Sequence, residues 1–467
     1  MTVSRPPGPR DWLFGIRLVS RIKRDILGFY TELHRQYGDV AYMRLGPYHD
    51  YTIFHPDHIK EVLVTQARHF IRMPHPMRVL RQWNGEGLLI PEGETWLRYR
   101  RLVQPAFNQK RFAGYAEAVV AVARDRFAAW GRRAGGSEIE FEQAATELTM
   151  DIIARTMFGA DLGDEAAEIS AAVRTLSHVA VREMMAPFTL PDWLPLPGKI
   201  AKRRAIRTLD ALVRRFIRDR RQDGTDRGDL LSMLLLAVDE EGDGRGLTDE
   251  QARDQCVTIF LAGHDTTAAA LTWTGWALAS HADVRARAVA EVDSVLAGRA
   301  PTFADLPQLA YIERVVKESL RHYPPAVAVF ARQATRDVVL GGWTVPAGSI
   351  VRILSYVVHH DPRWFPQPER FDPDRFAPER AATIPPCAYL PFGAGPRVCI
   401  GNTFAMMELV LLTAMLLQQF EVSLPPDQAE PKLDVQMSLR PVGGMRLNLR
   451  PRVPAEVAGA PAPASGS

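Results

Sequence analysis

The stretch that decides the fold is FGAGPRVCIG, Phe392–Gly401. It holds Cys399, one of three cysteines in 467 residues, in a glycine-rich loop just before the apolar run NTFAMMELVLLTAMLLQQF. Four readings of the stretch compete. Gly393 and Gly395 fit the first two positions of a dinucleotide fingerprint, but Val398 stands where the third glycine belongs and no strand leads into the loop; that reading fails. A zinc site needs more Cys or His at ligand spacing, and Cys387 is the only near candidate. A nucleophile needs a histidine partner, which the sequence leaves open. An inert buried thiol is the common fate of an isolated cysteine.

Position shifts that balance. At a helix start the macrodipole and free N–H groups favour a thiolate. Arg397, two residues earlier, adds a cation. A glycine-rich backbone can approach a flat, bulky group and donate N–H groups to a ligating sulfur. These are the needs of a thiolate that ligates haem iron.

Composition sets outer bounds. Length alone suggests two or three domains, while 46% hydrophobic and 24% charged residues describe a globular chain with a large core. A net charge of +3 is too weak for nucleic-acid binding, although Arg5, Arg10, Arg17, Arg21, Lys23 and Arg24 make the opening basic. Three scattered cysteines predict a reducing compartment. No signal peptide and no run of ~20 apolar residues is present, so a soluble, cytoplasmic protein is expected. The segment 456–467 is low in complexity and reads as a disordered tail.

Most of the chain carries helical periodicity, with apolar residues at three-and-four spacing. The longest such segment covers 247–280 and opens with Thr248 and Gln251 in capping-box spacing. Strand signals are few. VAYMRLG and YTIF flank a turn, VVLGGWTVPAGSIVRILSYV reads as two strands around Gly-Gly, and QMSLRPVGGMRLNL reads as a terminal hairpin. Between Asp361 and Pro391 lie about 30 aperiodic residues, and loops of that length inside compact domains are functional or disordered; their aromatic content argues against disorder. With no internal linker, residues 1–455 read as one mainly helical domain with small β-sheets.

Three further motifs carry chemistry. In FLAGHDTTAAALTWTGWAL a polar His-Asp-Thr-Thr cluster interrupts an apolar helix, where an unpaired Asp is costly. Threonine hydroxyls there can back-bond one turn earlier, and Gly263 removes a side chain where another group could sit. YIERVVKESLRHYPP places Glu318 and Arg321 at i, i+3, a weak pair by itself. TWLRYRRLVQPAF holds Trp96 and Arg100 at i, i+4 on a basic helix face.

Together these stretches resemble the cytochrome P-450 family over roughly residues 35–450. The resemblance implies a fold with haem between the long central helix and the Cys-loop helix. It implies Cys399 as the proximal iron ligand, Phe392 packed beside the sulfur, and Trp96, Arg100, Arg332 and Arg397 on the haem propionates. Thr266 would stabilise dioxygen and Asp265 would relay protons. Glu318 and Arg321 would be joined by Arg370 of Pro368-Glu369-Arg370-Phe371, a structural lock on the loop that presents Cys399. By rough alignment Leu89, Phe260, Ala262, Ala326, Val327, Val329 and Leu439 line the substrate pocket.

The implied activity is a haem b monooxygenase that hydroxylates or epoxidises an apolar molecule of fatty-acid, terpenoid or steroid type, using O2. Electrons would come from NAD(P)H through a separate ferredoxin or flavodoxin with its reductase, docking on the Cys399 side. A monomer is expected, without membrane anchor or nucleic-acid partner. The alternatives are a peroxide-driven, isomerase or dehydratase member of the same fold, a non-catalytic haem sensor or electron carrier, and a purely structural cysteine.

Overall fold

One helix of 32 residues, Asp249–Ser280, runs through the core of the computed structural model, which describes residues 5–134, 138–186, 189–239, 242 and 244–452. Its start is the capping box read from sequence. The Thr248 hydroxyl accepts from Gln251 N at 3.2 Å, and the Gln251 side chain accepts from Thr248 N at 3.1 Å. At 1.5 Å per residue the helix spans roughly 48 Å. It is apolar around most of its circumference, and such a helix must be surrounded. Helices Phe141–Phe158, Pro197–Asp223, Ala310–His322 and Asn402–Gln419 pack against it.

Strands occupy the margins. They are β1 (Val40–Leu45), β2 (Tyr48–Ile53), β3 (Phe70–Arg72), β4 (Glu138–Glu140), β5 (Val329–Ala334), β6 (Val338–Leu340), β7 (Trp343–Val345), β8 (Ile350–Ile353), β9 (Phe420–Ser423), β10 (Leu433–Val435), β11 (Leu439–Pro441) and β12 (Arg446–Pro451). The main sheet has the order β1-β2-β8-β5-β3, with β1 antiparallel to β2 and β2 parallel to β8. Gly341 and Gly342, at φ 56° and 81°, turn β6 into β7 as the Gly-Gly signal predicts. The same stretch then supplies a third strand, β8, to the main sheet.

The terminal hairpin is corrected. β11 pairs with β10, while β12 pairs with β4 and β9. Gly443 and Gly444 do turn the chain, but the Met445 carbonyl accepts from Phe141 N at 2.7 Å. That capture at the start of helix Phe141–Phe158 carries β12 away from β11.

The aperiodic stretch 361–391 contains only a 3₁₀ turn at Pro373–Phe376 and one helical turn at Pro378–Ala381. Charge pairs hold it in place of regular structure. Glu318, fully buried, accepts from Arg321 Nε at 2.8 Å and Nη2 at 2.9 Å, from Arg375 Nε at 3.2 Å and from Asp372 N at 2.9 Å. The Arg370 side chain is exposed, and only its carbonyl takes part, accepting from Arg321 and Arg375 at 3.4 and 3.3 Å. The third member of the lock is therefore Arg375, not Arg370.

Arg321 also donates to His359 O and Pro368 O, both at 2.8 Å. Burial, with Arg321 beside it, pushes His359 down to about 3. The ring is neutral, donates from Nδ1 to Arg321 O and accepts Leu390 N on Nε2 at 2.8 Å. The lock thus reaches the base of the Cys399 loop. Among the described residues no helix is long and apolar enough to cross a membrane. The segment 456–467 lies outside the described residues.

Candidate active site

The Cys399 loop is a chain of short backbone bonds. Gly393 N donates to Leu390 O (3.2 Å), Val398 N to Gly395 O (3.0 Å) and Cys399 N to Phe392 O (3.0 Å). Gly395 sits at φ 72°, and a Cβ there would lie 1.8 Å from Leu63 O, so only glycine lets the loop meet that neighbour. Helix Asn402–Gln419 follows with Gly401 at its N-cap, leaving Cys399 just outside the first turn. Its surface is accessible, yet burial dominates the thiol and pushes it up; the Gly401 N–H and Arg100 pull the other way. Among the described residues, no cluster of His, Cys, Asp and Glu with metal-site spacing includes Cys399.

Beside the loop lies an excess of buried cation. Arg100 donates to Val398 O at 3.0 Å. Arg397 stacks over Trp96, 4.0 Å from the ring centroid, and donates to Pro91 O at 3.0 Å and to Glu92. Arg332 and Arg72 face each other across the β3–β5 pair, and both are buried. Burial first, then Arg397 and Arg332, push Arg72 down to about 9; burial also brings Arg397 to about 10. Glu92 Oε1 is 3.9 Å from Arg72. Arg72 Nε and Nη1 and Arg397 Nη1 are buried without a hydrogen-bond partner. Unsatisfied buried guanidinium donors are costly and mark a missing acceptor.

The central helix contributes its polar turn. From 251 to 279 only Ala262 and Thr266 are exposed. They stand one turn apart on one face, so a helix buried elsewhere is open at that face. Thr266 Oγ1 donates to Ala262 O and Thr267 Oγ1 to Gly263 O, both at 2.8 Å; the expected back-bonding is present. Gly263 makes room for a neighbour, as its reading expects. A Cβ there would meet Ile153 Cδ1 at 2.6 Å, so the glycine admits helix Phe141–Phe158 rather than a ligand.

Asp265 is paired. Its Oδ1 accepts from Arg440 Nη2 at 2.6 Å, and Arg440 Nη1 donates to Glu142 Oε1 at 2.6 Å. Burial raises the Asp265 carboxyl, but Arg440 and His264 outweigh it and hold the group below its usual range. Asp265 is therefore a carboxylate at neutral pH.

The pocket residues divide. Ala262 and Ala326 are exposed, and Leu89 and Val329 are half-buried. Phe260, Val327 and Leu439 are corrected, because each is buried in packed core. Phe260 packs on Phe158 and His264 at centroid distances of 6.0 and 5.6 Å. Val327 and Leu439 belong to a cluster with Trp273 and Trp276. Phe392 is half-buried at the edge of the main core and holds Cys399 N through its carbonyl.

Arg72, Glu92, Arg375 and Arg440 were missed by sequence reasoning. Only Arg375 carried a local signal, since Pro373-Asp374-Arg375-Phe376 repeats the pattern of Pro368–Phe371.

The family model described as cytochrome P-450 matches residues 6–448. The chain belongs to the cytochrome P-450 family. It is 39% identical to cyclooctatin synthase of Streptomyces melanosporofaciens, over 97% of this chain and 99% of that protein. Cyclooctat-9-en-7-ol 5-monooxygenase of the same organism is also 39% identical, over 83% of each. Leukotriene-B4 omega-hydroxylase 3 of Mus musculus is 32% identical over 95% of this chain and 89% of that protein. The crystal structure of the cytochrome P-450DA heme domain matches with a TM-score of 0.88 at 30% identity, covering 98% of this chain and 99% of that one.

This cytochrome P-450 is a haem b monooxygenase by family. The residues present fit that group. Haem carries two propionates, and the unpartnered donors of Arg72 and Arg397 beside the Cys399 loop are suited to carboxylate acceptors.

Proposed function

We propose that this P-450 hydroxylates an apolar, polycyclic terpenoid-type molecule between Ala262–Thr266 and the Cys399 loop. The observation that carries the reading is the central helix, which opens at Ala262 and Thr266 and nowhere else between 251 and 279. Cys399 is the proposed iron ligand, and Arg72, Arg100, Arg332, Arg397 and Trp96 hold the propionate edge. When bound, haem supplies oxygen activation, with the thiolate donating electron density to it.

The chain's own groups handle the protons. Metal ligation needs the Cys399 thiolate; Arg100 and the Gly401 N–H stabilise it against burial. Thr266 Oγ1 holds its proton against Ala262 O in a bond that can be exchanged for one into the proposed pocket. Asp265, kept ionised by Arg440, accepts and passes protons one residue away. Small, apolar Ala262 and Ala326 leave room for a bulky hydrocarbon, and Leu89 and Val329 add apolar wall. The relatives' names support a terpenoid alcohol over a linear acid: the two at 39% identity carry cyclooctatin names, whereas the leukotriene hydroxylase stands at 32%. Electrons would come from NAD(P)H through a separate ferredoxin or flavodoxin and its reductase.

A carbon-monoxide difference spectrum of reduced protein tests the ligand. The thiolate-type band should be lost in Cys399→Ser, and its persistence would exclude Cys399. Substrate class is read from spectral shifts and products with polycyclic terpenoid alcohols against long-chain fatty acids; turnover of fatty acids alone would overturn the terpenoid assignment. Thr266→Ala should keep haem and substrate binding while product per NAD(P)H falls by up to roughly 100-fold, the contribution of a positioned proton donor. Unchanged coupling would remove Thr266 from proton handling.

A further inference from the structure

His322 closes helix Ala310–His322, His360 follows the short helix Ser355–His359, and Glu369 lies in the aperiodic stretch. One ligand atom from each lies within 4.8 Å of the others. A backbone carbonyl can only accept, so the neighbouring bonds fix both tautomers. His322 Nε2–H donates to Glu369 O at 3.1 Å, leaving a lone pair on Nδ1. His360 Nδ1–H donates to Tyr356 O at 2.8 Å, leaving a lone pair on Nε2. Those two nitrogens, His322 Nδ1 and His360 Nε2, are buried with no hydrogen-bond partner. The Glu369 side chain is exposed and makes no ion pair among the described residues.

We propose that His322, His360 and Glu369 form a binding site for a divalent first-row transition metal, zinc above all, separate from the haem centre. Two imidazoles and one carboxylate, with a fourth position open to water, make a familiar donor set for zinc. The carbonyls of Glu369 and Tyr356 serve as the outer shell that orients each ring. Tetrahedral zinc with bonds of about 2.0–2.1 Å needs ligand atoms roughly 3.4 Å apart. Rotation of the exposed Glu369 side chain closes the remaining distance. The ion would tie together the end of the Glu318–Arg321 helix, the start of the aperiodic stretch and the Pro368–Phe371 segment. His359, next to His360, holds Leu390 at the base of the Cys399 loop, so the metal would brace that loop from behind. This site does not depend on the substrate proposed above.

The test uses untagged, haem-loaded protein, stripped by chelator dialysis and then equilibrated with Zn²⁺, with bound zinc counted by elemental analysis. One saturable zinc per chain is expected, along with a higher thermal midpoint. His322→Gln and His360→Gln should each weaken uptake by at least about 100-fold, and Glu369→Gln by roughly 10-fold. An intact haem spectrum verifies that each variant is folded. Glu369→Gln changes an exposed side chain, so it keeps the fold and decides alone if the histidine variants do not. Unchanged zinc affinity in Glu369→Gln overturns the site, as does the lack of saturable uptake by the unmodified protein. Loss of uptake in His58→Gln instead would assign the metal to His55 and His58, whose rings lie 5.2 Å apart, and would overturn it as well.

Discussion

Two buried arginine clusters lie behind and beside the Cys399 loop, built from the same residue types, and they differ in whether their charges are satisfied. Around Glu318, Arg321 and Arg375 place their donors on the carboxylate and on the carbonyls of His359, Pro366, Gln367, Pro368 and Arg370. Around Glu92, Arg72 and Arg397 share one carboxylate, and both keep buried donors without acceptors. A complete network needs nothing further and acts as structure. An incomplete one is a receptor for anions, because only an incoming acceptor recovers the desolvation cost.

The sharpest way to break that contrast is to remove a partner from the complete cluster. Arg375→Ala should destabilise the protein by about 3 kcal/mol, because it removes a charged hydrogen bond to Glu318 and the donors to the carbonyls of Pro366, Gln367 and Arg370. Arg370→Ala, at an exposed side chain, should stay within about 0.5 kcal/mol. Urea unfolding of both variants gives the answer, and the reverse ranking would restore Arg370 to the lock.

The same operation on the incomplete cluster should have a different signature. Arg72→Met should weaken haem retention roughly 10- to 100-fold, matching the ~1.5–3 kcal/mol of a charged hydrogen bond. The unfolding midpoint of the haem-free chain should not fall. Competition for haem by an apo-protein scavenger measures the first quantity, and a destabilised haem-free chain would make Arg72 structural.

A smaller effect than that of Arg375→Ala belongs to the triad Glu142–Arg440–Asp265, where one guanidinium serves two carboxylates. Asp265 is held below its usual range, so its pairing stabilises the fold above the ordinary carboxylate pKa of about 4 and is lost as pH falls through the lower folded value. Arg440→Leu should therefore cost about 1.5 kcal/mol at pH 7. The deficit relative to the parent should shrink in acid. Urea midpoints at the two pH values check the sign, and a deficit that grows in acid would contradict it.

Legibility followed sequence distance. The Cys399 loop, the Asp265-Thr266 turn, the Glu318–Arg321 pair and the capping box at Thr248 are each contained within ten residues, so residue type and spacing were enough to find them. Phe260 and Leu439 were misplaced because an apolar residue near a motif can face core or cavity equally well, and only packing decides. At Gly263 the need for a small residue is clear from sequence, but the neighbour it admits, Ile153, is not.

The sequence by itself determined the chemistry: a cysteine after a glycine-rich turn, an acid–alcohol pair inside an apolar helix, and a mainly helical chain with marginal strands. Tertiary structure alone decided which charges meet. Pro368-Glu369-Arg370-Phe371 and Pro373-Asp374-Arg375-Phe376 are locally alike, yet only the second reaches Glu318. Arg440 meets Asp265 across 175 positions, and Arg72 joins Arg332 through the β3–β5 pairing. Buried charges interact through space over a few ångströms, and sequence spacing carries no record of that distance once the chain has turned back on itself.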